Sequence, residues 1–166
     1  LSGTPDPGVA APPALTGVEV AIRPALEADL PAIVALLADD VLGAGRESPD
    51  DLTPYRAAFA RIGADPHQFL VVAARADTVV ATLQLSIIPG LSRRGRIRSI
   101  IEAVRVHSGE RGSGLGTTLI QWAIAESARH GCTLVQLTSD RTREDAHRFY
   151  ERLGFTATHI GFKLEL

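Results

Sequence analysis

The run Arg111-Gly112-Ser113-Gly114-Leu115-Gly116 is where residue type and spacing point most directly to chemistry. A strand-like segment, 100–107, leads into it, and a helix-like segment, 115–130, leads out. Glycine lets a backbone curl around an anion, and the first N–H groups of a helix have no acceptor within the helix. Together with the positive end of the helix dipole, they favour a phosphate. Two other phosphate patterns fail here. A P-loop needs Lys-Ser/Thr after its last glycine, and Gly116 is followed by Thr117-Thr118. A dinucleotide fingerprint needs G-x-G-x-x-G, whereas these glycines stand at 112, 114 and 116. There is no H-E-x-x-H and no G-x-S-x-G, and no histidine pair has metal-ligand spacing, so neither a metal site nor a hydrolase nucleophile is expected.

The elements that must position this turn follow from pattern. Residues 18–23 read as a strand closed by Pro24, and Glu27-Ala28-Asp29 precedes an apolar stripe of Leu30, Ile33, Val34 and Leu37 that reads as a helix. Gly43-Ala44-Gly45 is a loop, and 50–62 a second helix. Segments 68–74 and 79–87 are β-rich around a turn at Ala76-Asp77, which predicts a hairpin. Pro89-Gly90 and Gly95 mark the next connection before a strand at 97–107. Leu115, Leu119, Trp122 and Ala123 recur at helical spacing until Gly131. A short strand at 133–138, a helix at 143–153 ended by Gly154, and a last strand or hairpin at 155–166 complete the chain. The order β-α-α-β-β-β-α-β-α-β predicts an α/β fold with a mixed sheet and helices on both faces.

The chain has 166 residues, 45% apolar, with a net charge of -2, which fits one ordinary domain and gives no global attraction for nucleic acid or anionic membrane. The basic stretch Arg93-Arg94-Gly95-Arg96-Ile97-Arg98 reads as a solvated hairpin end. No run is long and apolar enough for a transmembrane helix. The lone cysteine, Cys132, excludes an intrachain disulfide and suits a reducing, cytoplasmic setting; its neighbours make it a small core residue. Residues 1–17, rich in Pro, Gly, Ala and Thr, read as a flexible leader ahead of a domain at 18–166. The chain has no methionine, and the expectation is that its natural start lies upstream.

Arg111-x-x-Gly114-x-Gly116, framed by an apolar strand ending Val104-Arg105-Val106 and a long helix, resembles the acyl-CoA-binding signature of the Gcn5-related N-acetyltransferases, the GNAT superfamily. A second segment agrees. Ala146-His147-Arg148-Phe149-Tyr150-Glu151-Arg152-Leu153-Gly154-Phe155 is similar to the family's A-x-x-F-Y-x-x-x-G-F. The element order resembles that fold over nearly the whole chain, with a mostly antiparallel central sheet. The resemblance implies an acetyl-CoA-dependent N-acetyltransferase acting on a primary amine of a small molecule or protein. It places the pyrophosphate on backbone N–H groups of Arg111, Gly112, Ser113, Gly114, Leu115, Gly116 and Thr117. It lays the pantetheine arm along Val104, Arg105 and Val106 as a mimic of an added strand. A non-catalytic acyl-CoA sensor, or the same fold with a longer acyl-CoA, are the alternatives.

Acyl transfer from a thioester makes further demands. An amine of pKa ~10.4 must lose a proton, which costs about 4.6 kcal/mol at pH 7, so a general base helps. Glu102 is the candidate, a carboxylate on an otherwise apolar strand, where it is costly unless paired or functional. A Glu facing solvent, or paired with Arg98 or Arg105, is the competing reading. Simple alternation puts Glu102 on the face of Ile100 and Val104, unless a bulge breaks the parity. The resemblance assigns Tyr150 as the acid that protonates the leaving thiolate, against the plain reading of a core aromatic, and expects a backbone N–H near Val106 to hold the oxyanion. Arg143 stands where many family members carry asparagine; capping a carbonyl and reaching a phosphate both stay open for it. His107, after the strand, is a rival proton relay; His147 lies on another helix face from Tyr150, and His67, His130 and His159 read as surface or turn residues. No activated Cys or Ser is apparent, so direct transfer in a ternary complex is expected. The acceptor is expected near 39–60 and Gln84, with Arg46, Glu47 and Tyr55 as contacts and with Arg96 and Arg98 suited to a carboxylate on it. A homodimer through the last strand and exposed sheet edges is a further expectation.

Overall fold

The computed structural model describes residues 19–39 and 45–166. The 1–17 leader and the Gly43-Ala44 part of the first loop lie outside the described residues. Five strands form one sheet in the order β1-β2-β3-β4-β5: β1 (Val20–Pro24), β2 (Gln68–Arg75), β3 (Thr78–Pro89), β4 (Ile97–Val106) and β5 (Val135–Leu137). The first four are antiparallel neighbours, and β5 runs parallel to β4. The helices are α1 (Leu30–Ala38), α2 (Thr53–Ala64), a single turn α3 (Ser92–Gly95), α4 (Leu115–Arg129) and α5 (Glu144–Arg152). The hairpin between β2 and β3 forms as the pattern predicts, with Ala76 at φ +50. The basic stretch lies in and after α3, where Arg93 and Arg94 are exposed and left-handed.

Period-two alternation sorts the sheet into two faces. Ala81, Leu83, Leu85 and Ile87 of β3, with Ile101 of β4, pack against Leu115, Leu119, Ile120 and Ala123 of α4. Ser99 faces the same way, and its hydroxyl meets that of Ser127 on α4 at 2.7 Å, both fully buried. The opposite face carries Val72, Thr82, Gln84 and Ser86, and α1 packs across β3 and β4 there with Leu30, Ile33, Val34 and Leu36 buried. α2 packs against β2. Asp29 fixes the start of α1: it takes two guanidinium N–H bonds from Arg23, at 2.6 and 3.0 Å, and the Leu26 N–H at 2.7 Å.

The last predicted element does not form. The backbone is tied as far as Phe155, whose N–H donates to Tyr150 C=O, but 156–166 make no backbone hydrogen bond among the described residues. A strand needs a neighbour to satisfy its N–H and C=O groups, and among the described residues this segment finds none. Alternating apolar residues announce a wish to be buried, not the presence of a partner.

Candidate active site

The geometry that matters is where β4 parts from its neighbours. β5 pairs with β4 only over Ser99, Ile100 and Ile101. On the other side, the register runs from Gln84↔Glu102 to Thr82↔Arg105, so β4 uses both Ala103 and Val104 where β3 uses Leu83 alone. This is a β-bulge, and Ala103 takes φ +51 to make it. Beyond Ile101 the β5 side of β4 therefore has no strand neighbour among the described residues. That stretch of β4 backbone is left without a ladder partner on this side, a slot of the kind an extended amide-bearing arm can fill by hydrogen bonding.

The bulge changes the expected parity. Glu102 shares its face with Ile100, as alternation requires, but not with Val104. The residue that joins it beyond the bulge is Arg105, opposite Thr82. Val104 and Val106 turn to the α4 side and join the apolar cluster with Phe149. Glu102 is exposed, opposite Gln84. Around it on this face lies a polar shelf, in which Gln68 Oε1 accepts from Gln84 Nε2 at 3.0 Å and from Ser86 Oγ at 2.8 Å. Arg98 lies on the same face by parity.

The glycine turn sits at the end of the slot. Gly112 and Gly114 have φ +83 and +89, conformations that favour glycine, and Gly114 is the cap from which α4 starts. Two of the expected N–H donors are consumed inside the turn: Arg111 N–H donates to Ser108 C=O and Ser113 N–H to Glu110 C=O. Thr118 N–H already bonds Gly114 C=O, and Leu115 N–H reaches Ser113 Oγ at 3.4 Å. Among the seven expected donors, the N–H groups of Gly112, Gly114, Gly116 and Thr117 make no such bond among the described residues, and the last two lie in the first turn of α4, at its positive end. Val106 Cγ2 and the Phe149 ring lie beside Gly116, joining turn, β4 and α5. The Arg111 guanidinium reaches Asp39, at 3.3 Å from its carbonyl and 3.6 Å from its carboxylate.

Tyr150 is packed between the rings of Phe149, at 5.2 Å, and Phe155, at 5.9 Å. Burial raises its pKa, while the nearby charges of Arg143 and Arg105 pull the other way. The hydroxyl stays a proton donor throughout the neutral range. The charges of Arg143 and Arg105 are felt at Tyr150, and Arg105, expected to serve through its backbone, donates to Val104 C=O at 2.9 Å.

Several rivals are occupied elsewhere. His107 Nδ1 accepts from Gly109 N–H at 3.1 Å, capping the turn that follows β4. His147 Nε2 lies 2.8 Å from Asp140 C=O. Arg96 is pinned to Thr133, at 2.9 Å from both its hydroxyl and its carbonyl. Tyr55 donates to Glu47 at 2.7 Å and accepts from Ser48 N–H at 2.8 Å, so these two fasten a loop to α2. Burial pushes the Cys132 thiol up, so it is a poor nucleophile.

One participant had no signal in the sequence. Arg75, at the end of β2, holds Glu110 bidentately at 3.1 and 3.0 Å and lowers its carboxyl. This clamp anchors the loop that delivers the glycine turn. Its partners are far apart in sequence, and no periodicity links them.

The acetyltransferase (GNAT) family model matches residues 30–155. The chain is 34% identical over 112 residues to the aminoalkylphosphonate N-acetyltransferase of Salmonella typhimurium, covering 68% of this chain and 72% of that protein. It is 39% identical over 88 residues to the glucosamine 6-phosphate N-acetyltransferase of Trypanosoma brucei brucei, covering 53% of this chain and 58% of that one. A solved structure from Bacillus halodurans C-125, described as a transcriptional regulator, is 45% identical, with a TM-score of 0.86 over 89% of this chain and 100% of that one. The protein belongs to the GNAT acetyltransferase family, and with these relatives it is an N-acetyltransferase. Among the described residues, no helix is long and apolar enough to cross a membrane.

Proposed function

We propose that this protein moves the acetyl group of acetyl-CoA to the primary amine of a small, anionic acceptor by direct transfer in a ternary complex. The observation that carries the reading is the coincidence of two breaks in the sheet with the start of α4. β5 leaves β4 at Ile101, the bulge falls at Ala103, and the open backbone that follows leads to the free N–H groups of Gly116 and Thr117. That slot suits a pantetheine arm ending in a pyrophosphate, and Val104, Val106 and Phe149, packed on the core beside it, give it one apolar side.

Acetyl-CoA supplies an activated acyl carbon and a thiolate leaving group. Glu102, directly or through a water, takes the proton that the ammonium must lose. Tyr150, held as a phenol by burial, gives its proton to the departing sulfur. The bulge separates the duties by face. Val104 and Val106 turn toward the donor side, while Glu102, Arg98 and Arg105 look toward the acceptor with the Gln68–Gln84–Ser86 shelf. Both named relatives act on small amines that carry a phosphorus oxyanion, and the two arginines flanking Glu102 suit such a group.

Thiol release from acetyl-CoA is the test, run over aminoalkylphosphonates, amino-sugar phosphates, amino acids, polyamines and a lysine peptide, with products confirmed by mass. Turnover of a phosph(on)ate-bearing amine, with intersecting initial-rate lines and a loss in Glu102→Gln, supports the proposal. Parallel lines remove the ternary complex. The regulator name of the Bacillus neighbour favours a second reading, an acyl-CoA-binding sensor; acetyl-CoA binding without turnover of any amine selects it.

A further inference from the structure

The acetyl slot makes no use of the basic turn at Arg93 and Arg94. This turn lies at the end of β4 away from the glycine turn; Arg96 stands six residues before Glu102, which is ~20 Å along a strand. Arg93, Arg94, Gly95, Arg96 and Ile97, with Gly131 and Thr133 from the link between α4 and β5, line an open cleft of about 450 Å³. Three arginines line it and no acidic residue does. A merely solvated hairpin end needs neither a concave wall nor a single sign of charge around it.

One wall of the cleft is fixed. Thr133 N–H donates to Ile97 C=O at 3.0 Å, and Arg96 donates through Nε and Nη2 to the Thr133 hydroxyl and carbonyl, both at 2.9 Å. That grip uses one edge of the guanidinium and leaves the Nη1 donors for another acceptor. The other wall is strained. Arg93, Arg94 and Gly95 are left-handed in succession, at φ +52, +62 and +77. Gly95 N–H to Leu91 C=O and Arg96 N–H to Ser92 C=O, each at 3.2 Å, close the turn. Glycine adopts this conformation freely, whereas a Cβ is crowded in it. Both arginine side chains are exposed, and neither makes an ion pair or hydrogen bond among the described residues. No internal contact offsets the strain, and strain that the fold does not use marks a binding element.

We propose that this cleft is a second anion site, separate from the acetyl slot, and that it takes a small polyphosphate between the guanidinium groups of Arg93 and Arg94 and the anchored one of Arg96. Guanidinium forks match phosphate oxygens, and several forks around one concavity favour a ligand with more than one phosphate. The cleft has the size of a small-ligand site. A nucleic acid calls for a basic track many phosphates long, whereas the positive charge here is confined to one turn of a chain whose net charge is -2.

Inorganic tripolyphosphate is the probe. Titrated into the isotope-labelled full chain at physiological ionic strength, it should shift the backbone amide resonances of 92–97 and 131–133 to saturation. Shifts confined to 111–117 place the anion in the glycine turn and overturn the proposal, as does the absence of any saturable shift. Arg93→Asn with Arg94→Asn should weaken binding at 92–97 roughly 10- to 100-fold, through the loss of charge-assisted contacts. The melting temperature of the free protein should hold or rise in this variant, because asparagine tolerates the left-handed region. Undiminished binding in the double variant overturns the proposal. So does a lowered melting temperature, which makes the two arginines structural. A single-stranded oligonucleotide of equal charge that shifts the same amides at lower concentration than tripolyphosphate makes the turn a nucleic-acid contact, and overturns it as well.

Discussion

Replacing Tyr150 by phenylalanine isolates a single proton. The ring stays wedged between Phe149 and Phe155, so the core around it is unchanged and the variant should melt close to the parent. Only the hydroxyl donor is lost. Its worth is limited by the leaving group: a thiolate of pKa ~8.5 released at pH 7 gains about 2 kcal/mol on protonation, roughly 30-fold in rate. The loss in kcat should therefore lie near 10- to 30-fold, below the 10²–10⁴ typical of general acids, with KM for acetyl-CoA within about threefold if the ring alone shapes the slot.

The same arithmetic predicts a pH signature. The thiolate needs less help as pH approaches its pKa, so the ratio of parent to variant kcat should shrink toward one between pH 7 and pH 9. Throughout that range the parent tyrosine keeps its proton, because burial raises its pKa above the usual ~10. Thiol release measured at several pH values decides it. A ratio of one at pH 7 refutes the acid role. A ratio of a hundred or more that does not change with pH shows that Tyr150 acts by some means other than protonating sulfur.

Gly114→Ala should cost about 1–2 kcal/mol by denaturant unfolding, because an alanine must adopt φ +89 while its added carbon meets nothing within 4 Å, leaving backbone strain as the whole effect. Asp29→Asn should cost about 1.5–3 kcal/mol at pH 7, the range for hydrogen bonds to a charged group. The Arg23 guanidinium holds the Asp29 carboxyl below its ordinary value, so that stabilisation is complete above about pH 4 and is lost as pH falls through the lowered pKa; acid titration should narrow the gap between parent and variant. Glu110→Gln should raise KM for acetyl-CoA several-fold with kcat near the parent, because it weakens the Arg75 clamp on the glycine-turn loop without touching the reacting atoms.

How much of this was legible beforehand divides along local and non-local lines. The glycine turn, the helix it opens and the hairpin at Ala76 were all readable, because each is written in adjacent residues with special backbone demands. The helix that carries Tyr150 was readable through its flanking segment. The parity of Val104 was not, because a bulge is one extra residue that only the partner strand can reveal. The clamp between Arg75 and Glu110 was invisible for the same reason: both ends are ordinary surface charges until folding brings them together. The last strand was misread in an instructive way. The alternation of Ile160, Phe162, Leu164 and Leu166 has the pattern of an amphipathic strand, but pairing is a property of two segments, and none of the described residues pairs with this one.

On the proposed function, the bulge at Ala103 also lets one short strand serve two molecules of opposite character. In a regular strand, Glu102 and Val104 would share a face, and the base would stand among the groups that must stay apolar for the donor arm. One inserted residue shifts the phase once, so the residues before it keep their alignment with Gln84 while those after it turn to Val106 and Phe149. On the proposed function, donor recognition would fall mainly to backbone groups, which any sequence with the right glycines can present. Acceptor recognition would fall to side chains at 98, 102 and 105, and to the Gln68–Gln84–Ser86 shelf, which can change without disturbing the turn. A chain built this way would keep one acyl donor while varying the amine, and the residues to exchange in altering specificity would be those on the Glu102 face.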